Sequence, residues 1–223
     1  MAYVMPQERC TAARALAMGW ASSHCRGMDQ RSDTDTLTNM DLTGRMLIAM
    51  PGMDDPRFDQ SLIFVCAHSD EGAMGLVINK VSDDLKLSDL LEQLEIDAAP
   101  GARRLPIHYG GPVESGRGFV LHDAGYTSSI STLKVDAQFS MTSTLDILED
   151  LARGDGPAAA LIALGYAGWG PGQLEGEIMQ NGWLISEASE KLIFGTANAA
   201  KWGGALCSLG ISPLALSAEY GTA

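Results

Sequence analysis

The sequence predicts an α+β fold: a single domain over residues 40–223, built on a curved, mixed and mostly antiparallel sheet, barrel-like in outline, with helices packed outside. Three observations point there. Most short, branched-apolar segments are followed by another such segment rather than by a helix, so strand-to-strand connections dominate. Helical stripes fall irregularly between them, unlike the regular alternation of a doubly wound sheet. No apolar run approaches the ~20 residues that a membrane-spanning helix needs, so the apolar residues serve a core.

Residues 1–39 read differently from the rest. Cys10 to Ser23 is Ala-rich and weakly apolar, and Asp29 to Asn39 is polar. Glu8, Arg14, Gly19 and Trp20 interrupt what a signal peptide would need as one apolar block. This extension is expected to be disordered, with Met28 and Met40 as alternative starts, and the protein to be cytoplasmic.

Met46 to Met50, Leu62 to Ala67 and Gly75 to Asn79 then read as strands, the first stopped by Pro51-Gly52 and the last two joined by a hairpin through Asp70-Glu71-Gly72. Leu87, Leu90, Leu91 and Leu94 lie on one helical face, giving a helix over Ser88 to Leu94. Ile107 to Tyr109 and Phe119 to His122 are strands flanking Gly110-Gly111-Pro112, followed by strands at Leu133 to Val135 and Gln138 to Met141. Ser143 and Asp146 have the spacing of a capping box and predict a helix with Leu145, Leu148 and Leu151 on its apolar face, ended by Gly154. Ala159 to Tyr166 is a buried strand and Gln173 to Gln180 a short helix; Trp183 to Ser186 and Leu192 to Phe194 are strands, and Asn198 to Leu209 is the last helix.

Charge sets the first functional bound. Asp plus Glu number 28 against 15 Lys plus Arg, a net −13. The charges of residues 1–39 cancel, so the folded part carries the whole excess. A DNA-binding surface must neutralise phosphates, and Arg103-Arg104 is the one adjacent basic pair; direct nucleic-acid binding is therefore disfavoured. Cys10, Cys25, Cys66 and Cys207 form no C-x-x-C and read as free thiols. His68, His108 and His122 lack metal-ligand spacing, so no metal is expected, and no motif points to a cofactor.

The most informative stretch is the corner Gly165-Tyr166-Ala167-Gly168-Trp169, followed by Gly172 and Gln173. Glycines at this density mark a backbone that turns sharply or approaches something closely. They are expected to present Trp169 on a turn, next to a Gln173–Glu177–Asn181 stripe at helical i+4 spacing and close to Trp183. Trp169, Gln173, Glu177, Asn181 and Trp183 are thus the candidate binding residues, with His68 and Asn79 as further candidates brought near by the fold. Glu175 and Glu177, two apart on a helix, point away from each other and form no carboxylate pair. His68 is expected to bond the backbone of the adjacent turn, and Asn79 to cap the turn after its strand. Gly110-Gly111-Pro112 reads as a tight turn rather than a phosphate loop, since Pro112 lacks an N–H. There is no G-x-S-x-G and no Gly-Lys-Ser/Thr.

Taken in order, several segments resemble the bacterial YqgE/AlgH family, also catalogued as DUF179. They are Gly44 to Pro51 with Asp55 and Phe58; His68 with Gly72 to Asn79; Gly110 to Val113; Leu121-His122; the Gly165 corner; Asn181-Gly182-Trp183; and Gly221-Thr222-Ala223. The resemblance runs from about Leu42 to Ala223. It implies a compact α/β-type domain and a label of transcriptional regulator, without implying contact with DNA. The expectation is an interaction or regulatory protein with no catalytic signature, working through an unknown protein partner. The alternative is a small-molecule-binding protein, or an enzyme, with its pocket near Trp169.

Overall fold

The computed structural model describes residues 41–53, 55–100 and 102–216. The expectations for residues 1–39 and the family-like tail Gly221-Thr222-Ala223 lie outside these. In chain order come β1 (Arg45–Ala49), a 3-10 turn (Pro56–Phe58), β2 (Leu62–Ser69), β3 (Gly72–Val77), β4 (Val81–Lys86), α1 (Leu87–Gln93), β5 (Pro106–Tyr109) and β6 (Val113–Asp123). Then follow β7 (Leu133–Lys134), β8 (Phe139–Thr142), α2 (Asp146–Arg153), β9 (Ala160–Trp169), α3 (Gln173–Met179) and β10 (Trp183–Glu187). A π-helical turn (Lys191–Gly195), α4 (Asn198–Ser208) and a 3-10 turn (Pro213–Leu216) close the described chain.

The strands form one curled sheet in the order β10-β1-β2-β3-β9-β6-β8-β7, with β5 lying between β4 and β9. Neighbours are antiparallel except β5 and β9, which run parallel. The expected α+β class and curved, mostly antiparallel sheet are present. Strand alternation divides the core as period-two geometry requires. Met46, Ile48, Leu62, Phe64, Cys66, Leu76 and Ile78 point to the inside of the curl, where they meet Phe119, Leu121, Leu161 and α4. Leu47, Ala49, Ile63, Val65 and Val77 point outward beneath α3. On the far half of the sheet, Ile107, Val120 and Ile162 pack beneath α1 and α2.

β9 joins the two halves, and a glycine makes that possible. Before Gly165, Leu161 and Ala163 face the inner core and Ile162 the outer one; after it, Tyr166 packs on the inner core while Ala167 and Trp169 face outward. One residue in the left-handed region, Gly165 at φ +72°, inverts the alternation. A Cβ there would lie 2.4 Å from the Gly111 carbonyl oxygen, and one on Gly111 would lie 2.1 Å from the Tyr166 carbonyl carbon. The two glycine segments thus touch backbone to backbone, which only glycine allows. This inversion carries Trp169 under α3.

Several local expectations are corrected. Leu192 to Phe194 forms the π-helical turn rather than a strand: Ile193 N–H reaches back to the Ser189 carbonyl and only Ile193 of the segment is buried. A run of three apolar residues is too short for periodicity to decide between the two. Strand β4 was unforeseen, because Asp83-Asp84 breaks the apolar pattern that marks strands. Leu145 is exposed and α2 begins at Asp146, whose carboxylate accepts from the hydroxyls of Ser128, Ser129 and Thr144 across the loop rather than completing a capping box.

Candidate functional site

The predicted corner is a finished piece of core. β9 continues through Trp169, which therefore ends a strand instead of standing on a turn, and is 5% exposed; Trp183, opening β10, is 2% exposed. Their rings meet edge to face at 5.9 Å, with Phe58 on Trp183 at 5.8 Å. α3 covers them and supplies the polar partner. Both indole N–H groups donate to Glu177 Oε2, at 2.9 Å from Trp169 and 2.8 Å from Trp183. Gln173 Nε2 donates to Glu177 Oε1 at 2.9 Å, and Gln173 Oε1 accepts from Gly170 N–H at 3.1 Å. Burial alone would push the Glu177 carboxyl upward, but the bonds from Trp183, Gln173 and Trp169 outweigh it and hold the group below its ordinary value.

Trp169, Trp183, Gln173 and Glu177 are thus brought together as the spacing implied, but as an internally bonded cluster. The expectation that Trp169 forms an accessible recognition surface is overturned. The other candidates part from the cluster. Asn181 is exposed and left-handed at φ +58°, ending α3 in a Schellman arrangement with Gly182 N–H on the Glu177 carbonyl at 2.8 Å. His68 does not bond its neighbouring turn: Nδ1 accepts from Leu42 N–H at 3.3 Å, and Nε2–H donates to Glu175 Oε1 at 2.8 Å. Glu175 and Glu177 accordingly serve opposite sides of α3. Asn79 bridges the entry to β2, accepting from Leu62 N–H and donating to the Gln60 carbonyl, each at 2.8 Å. It lies at the other end of β2 from His68, roughly 20 Å away by strand rise.

Space that could take a ligand lies elsewhere among the described residues. A cavity of about 380 Å³ opens between β5, the start of β9, the π-helical turn and the first turn of α4. Its chemistry comes from His108, Asn198, Lys201 and Arg103. His108, 3% exposed, donates from Nδ1 to the Ile162 carbonyl at 3.0 Å, which leaves Nε2 facing Asn198 Oδ1 at 3.2 Å. Lys201, 2% exposed, donates from Nζ to the Ile78 carbonyl at 2.8 Å. Burial pushes the His108 imidazole below its ordinary value, and burial lowers the Lys201 ammonium to about 8. Arg103 closes one side, donating to the Pro157 and Ala158 carbonyls at 2.7 and 2.9 Å.

Sequence reasoning weighed His108 only as a metal ligand and passed over Lys201. The available signal was a lone lysine in the apolar run Ala199-Ala200-Lys201-Trp202, three residues after Asn198 and so on the same helical face. Nothing local could connect that face to His108, 90 residues away from Asn198. Among the described residues no group of three His, Cys, Asp or Glu gathers as a metal-ligand set. Cys66 is buried, with its thiol pushed up by burial, and Cys207 is exposed.

Comparison with known proteins supplies the lineage. Residues 46–214 match the family DUF179, described as AlgH-like. A UPF0301 protein of Cereibacter sphaeroides is 56% identical over 184 residues, covering 82% of this chain and 100% of the relative. One from Ruegeria pomeroyi is 57% identical over 185 residues, with the same coverage of each chain. The solution structure of the AlgH protein from Pseudomonas aeruginosa superposes with a TM-score of 0.67 at 42% identity, covering 88% of this chain and 100% of that one. A crystal structure from Corynebacterium diphtheriae shares the fold at a TM-score of 0.59 and 19% identity, over 74% of this chain and 85% of that one.

Proposed function

The chain belongs to the AlgH-like family DUF179, and from that premise we propose that it is a small-molecule-binding regulatory protein of the cytoplasm, whose ligand enters the His108–Lys201 cavity. One observation carries this reading. The volume of about 380 Å³ falls within the ~300–1,000 Å³ usual for ligand pockets, and a few polar groups converge on apolar walls. The Trp169 corner, by contrast, is filled by its own side chains. A regulatory effect passes from such a pocket to a partner, and the net charge of −13 supports a protein partner over a nucleic acid. No helix among the described residues is long and apolar enough to cross a membrane.

The test is a thermal-shift screen of metabolites against the wild type and Ala197→Trp, which places an indole at the cavity mouth from an exposed position. A ligand at 100 times its Kd stabilises by ~2.7 kcal/mol. For a chain of this size that raises Tm by roughly 5–10 °C. Loss of the shift in Ala197→Trp supports the reading; a screen with no hit, or hits indifferent to Ala197→Trp, ends it.

A further inference from the structure

Resting on the cavity reading above, we infer that the ligand is a small oxyanion, a phosphate monoester or a carboxylate, held by Lys201 Nζ, His108 and the first turn of α4 with Arg103 at the mouth. The sign of the lining is the first argument. In a chain of net charge −13, the cavity is lined by Lys201, Arg103 and His108 and by no Asp or Glu. An acidic surface with a basic hollow focuses anions into the hollow and turns them away elsewhere.

Lys201 is the second argument. An ammonium has three N–H donors, and here one is met by the neutral Ile78 carbonyl. No described carboxylate forms an ion pair with Lys201. A charge 2% exposed and without a counter-charge costs free energy, which burial registers by lowering its pKa to about 8. A bound oxyanion supplies the missing charge and accepts the remaining hydrogens.

His108 adds a third, independent observation. Nδ1 must carry a proton to donate to the Ile162 carbonyl, so Nε2 opposite Asn198 Oδ1 makes a matched pair only when the ring is doubly protonated or the amide is turned. Burial lowers the ring's pKa and so favours the neutral ring with the amide turned, and a neighbouring anion would oppose that shift and favour uptake of the second proton. α4, of 11 residues, opens on the same cavity with Ala197 at its N-cap, where no side chain caps the first turn. Its positive end adds to the field of the three basic groups.

The experiment is calorimetric titration of the full chain with inorganic phosphate, glycerol 3-phosphate and malonate, against glycerol and malonamide as neutral counterparts. The oxyanions are expected to bind and the neutral compounds not, and the phosphate and malonate arms decide which oxyanion is preferred. Lys201→Met should weaken binding at least tenfold, and Arg103→Gln several-fold with an unchanged far-UV circular dichroism spectrum. If Lys201→Met does not fold, phosphate titration of the wild type followed on the His108 ring by NMR decides: the ring signals must move with saturation. Unmoved ring signals, or anion binding indifferent to both substitutions, overturn the inference. Neutral ligands that bind as well as anions and are blocked by Ala197→Trp overturn it while leaving the cavity reading in place; no binding by any of these compounds also overturns it, and the metabolite screen above decides the cavity reading.

Discussion

Removing the Glu177 carboxylate tests the view that the Trp169 corner is a sealed structural unit. In Glu177→Ala the indole N–H groups of Trp169 and Trp183, at 5% and 2% exposure, both lose the oxygen they share. Each buried donor left unmet costs roughly 1–3 kcal/mol, so the pair sums to about 2–6 kcal/mol. Water entering the space left by the side chain relieves part of this, and we expect about 3 kcal/mol. At a urea slope of about 2 kcal/mol/M, the unfolding midpoint then falls by about 1.5 M. Glu177→Gln keeps an amide oxygen for the indoles but turns a donor toward Gln173, and should cost only about 1 kcal/mol. Urea unfolding followed by both tryptophan fluorescence and far-UV circular dichroism measures the two, the second probe guarding against local changes in indole emission. A Glu177→Ala midpoint within about 0.2 M of wild type would refute the reasoning, since an accessible surface would lose almost nothing.

Two further outcomes follow from the structure. Gly165→Ala forces a left-handed residue at φ +72° and a Cβ 2.4 Å from the Gly111 carbonyl oxygen; it should destabilise by more than about 3 kcal/mol or prevent folding, as thermal unfolding will show. On acidification the sign follows from the depressed carboxyls: Glu177 contributes stability above its unfolded value near 4.5 and loses it as pH falls through its lower folded value. Asp146 behaves alike between 3.8 and about 2, since hydroxyl bonds from Ser128, Thr144 and Ser129 overcome the upward push of burial. Urea midpoints measured from pH 6 to 2 should therefore fall more steeply for wild type than for Glu177→Gln; parallel curves would remove Glu177 from the account.

The functional consequence concerns where the molecule meets others. The curl encloses one core and buries two more beneath its helices, and the Gly165 corner belongs to the second of these. Trp169→Ala is consequently a stability variant, and a lost interaction in that variant would not locate a binding surface. The hollow beside α4, proposed above as the ligand site, draws its polar side chains from two distant chain segments, Arg103 and His108 from one and Asn198 and Lys201 from the other.

Sequence alone determined the class of fold, the larger part of the strands, and the pairing of Gln173 with Glu177, because these rest on short-range periodicity that local geometry dictates. It also placed the glycines at the right corner, since a left-handed backbone has few alternatives to glycine. It misjudged which way Trp169 faces: one inverted residue at 165 reverses the alternation, and whether a glycine inverts or merely turns is set by the backbone of residue 111 pressed against it. Lys201 and His108 stayed hidden for the same reason. A buried ammonium and an imidazole acquire their meaning from a parallel pairing of β5 with β9 and from a helix laid across the mouth, and those contacts join residues 54 to 123 positions apart. Only the tertiary structure decided that the bent, indole-rich segment is interior and that Arg103, His108 and Lys201 line one hollow in an acidic chain.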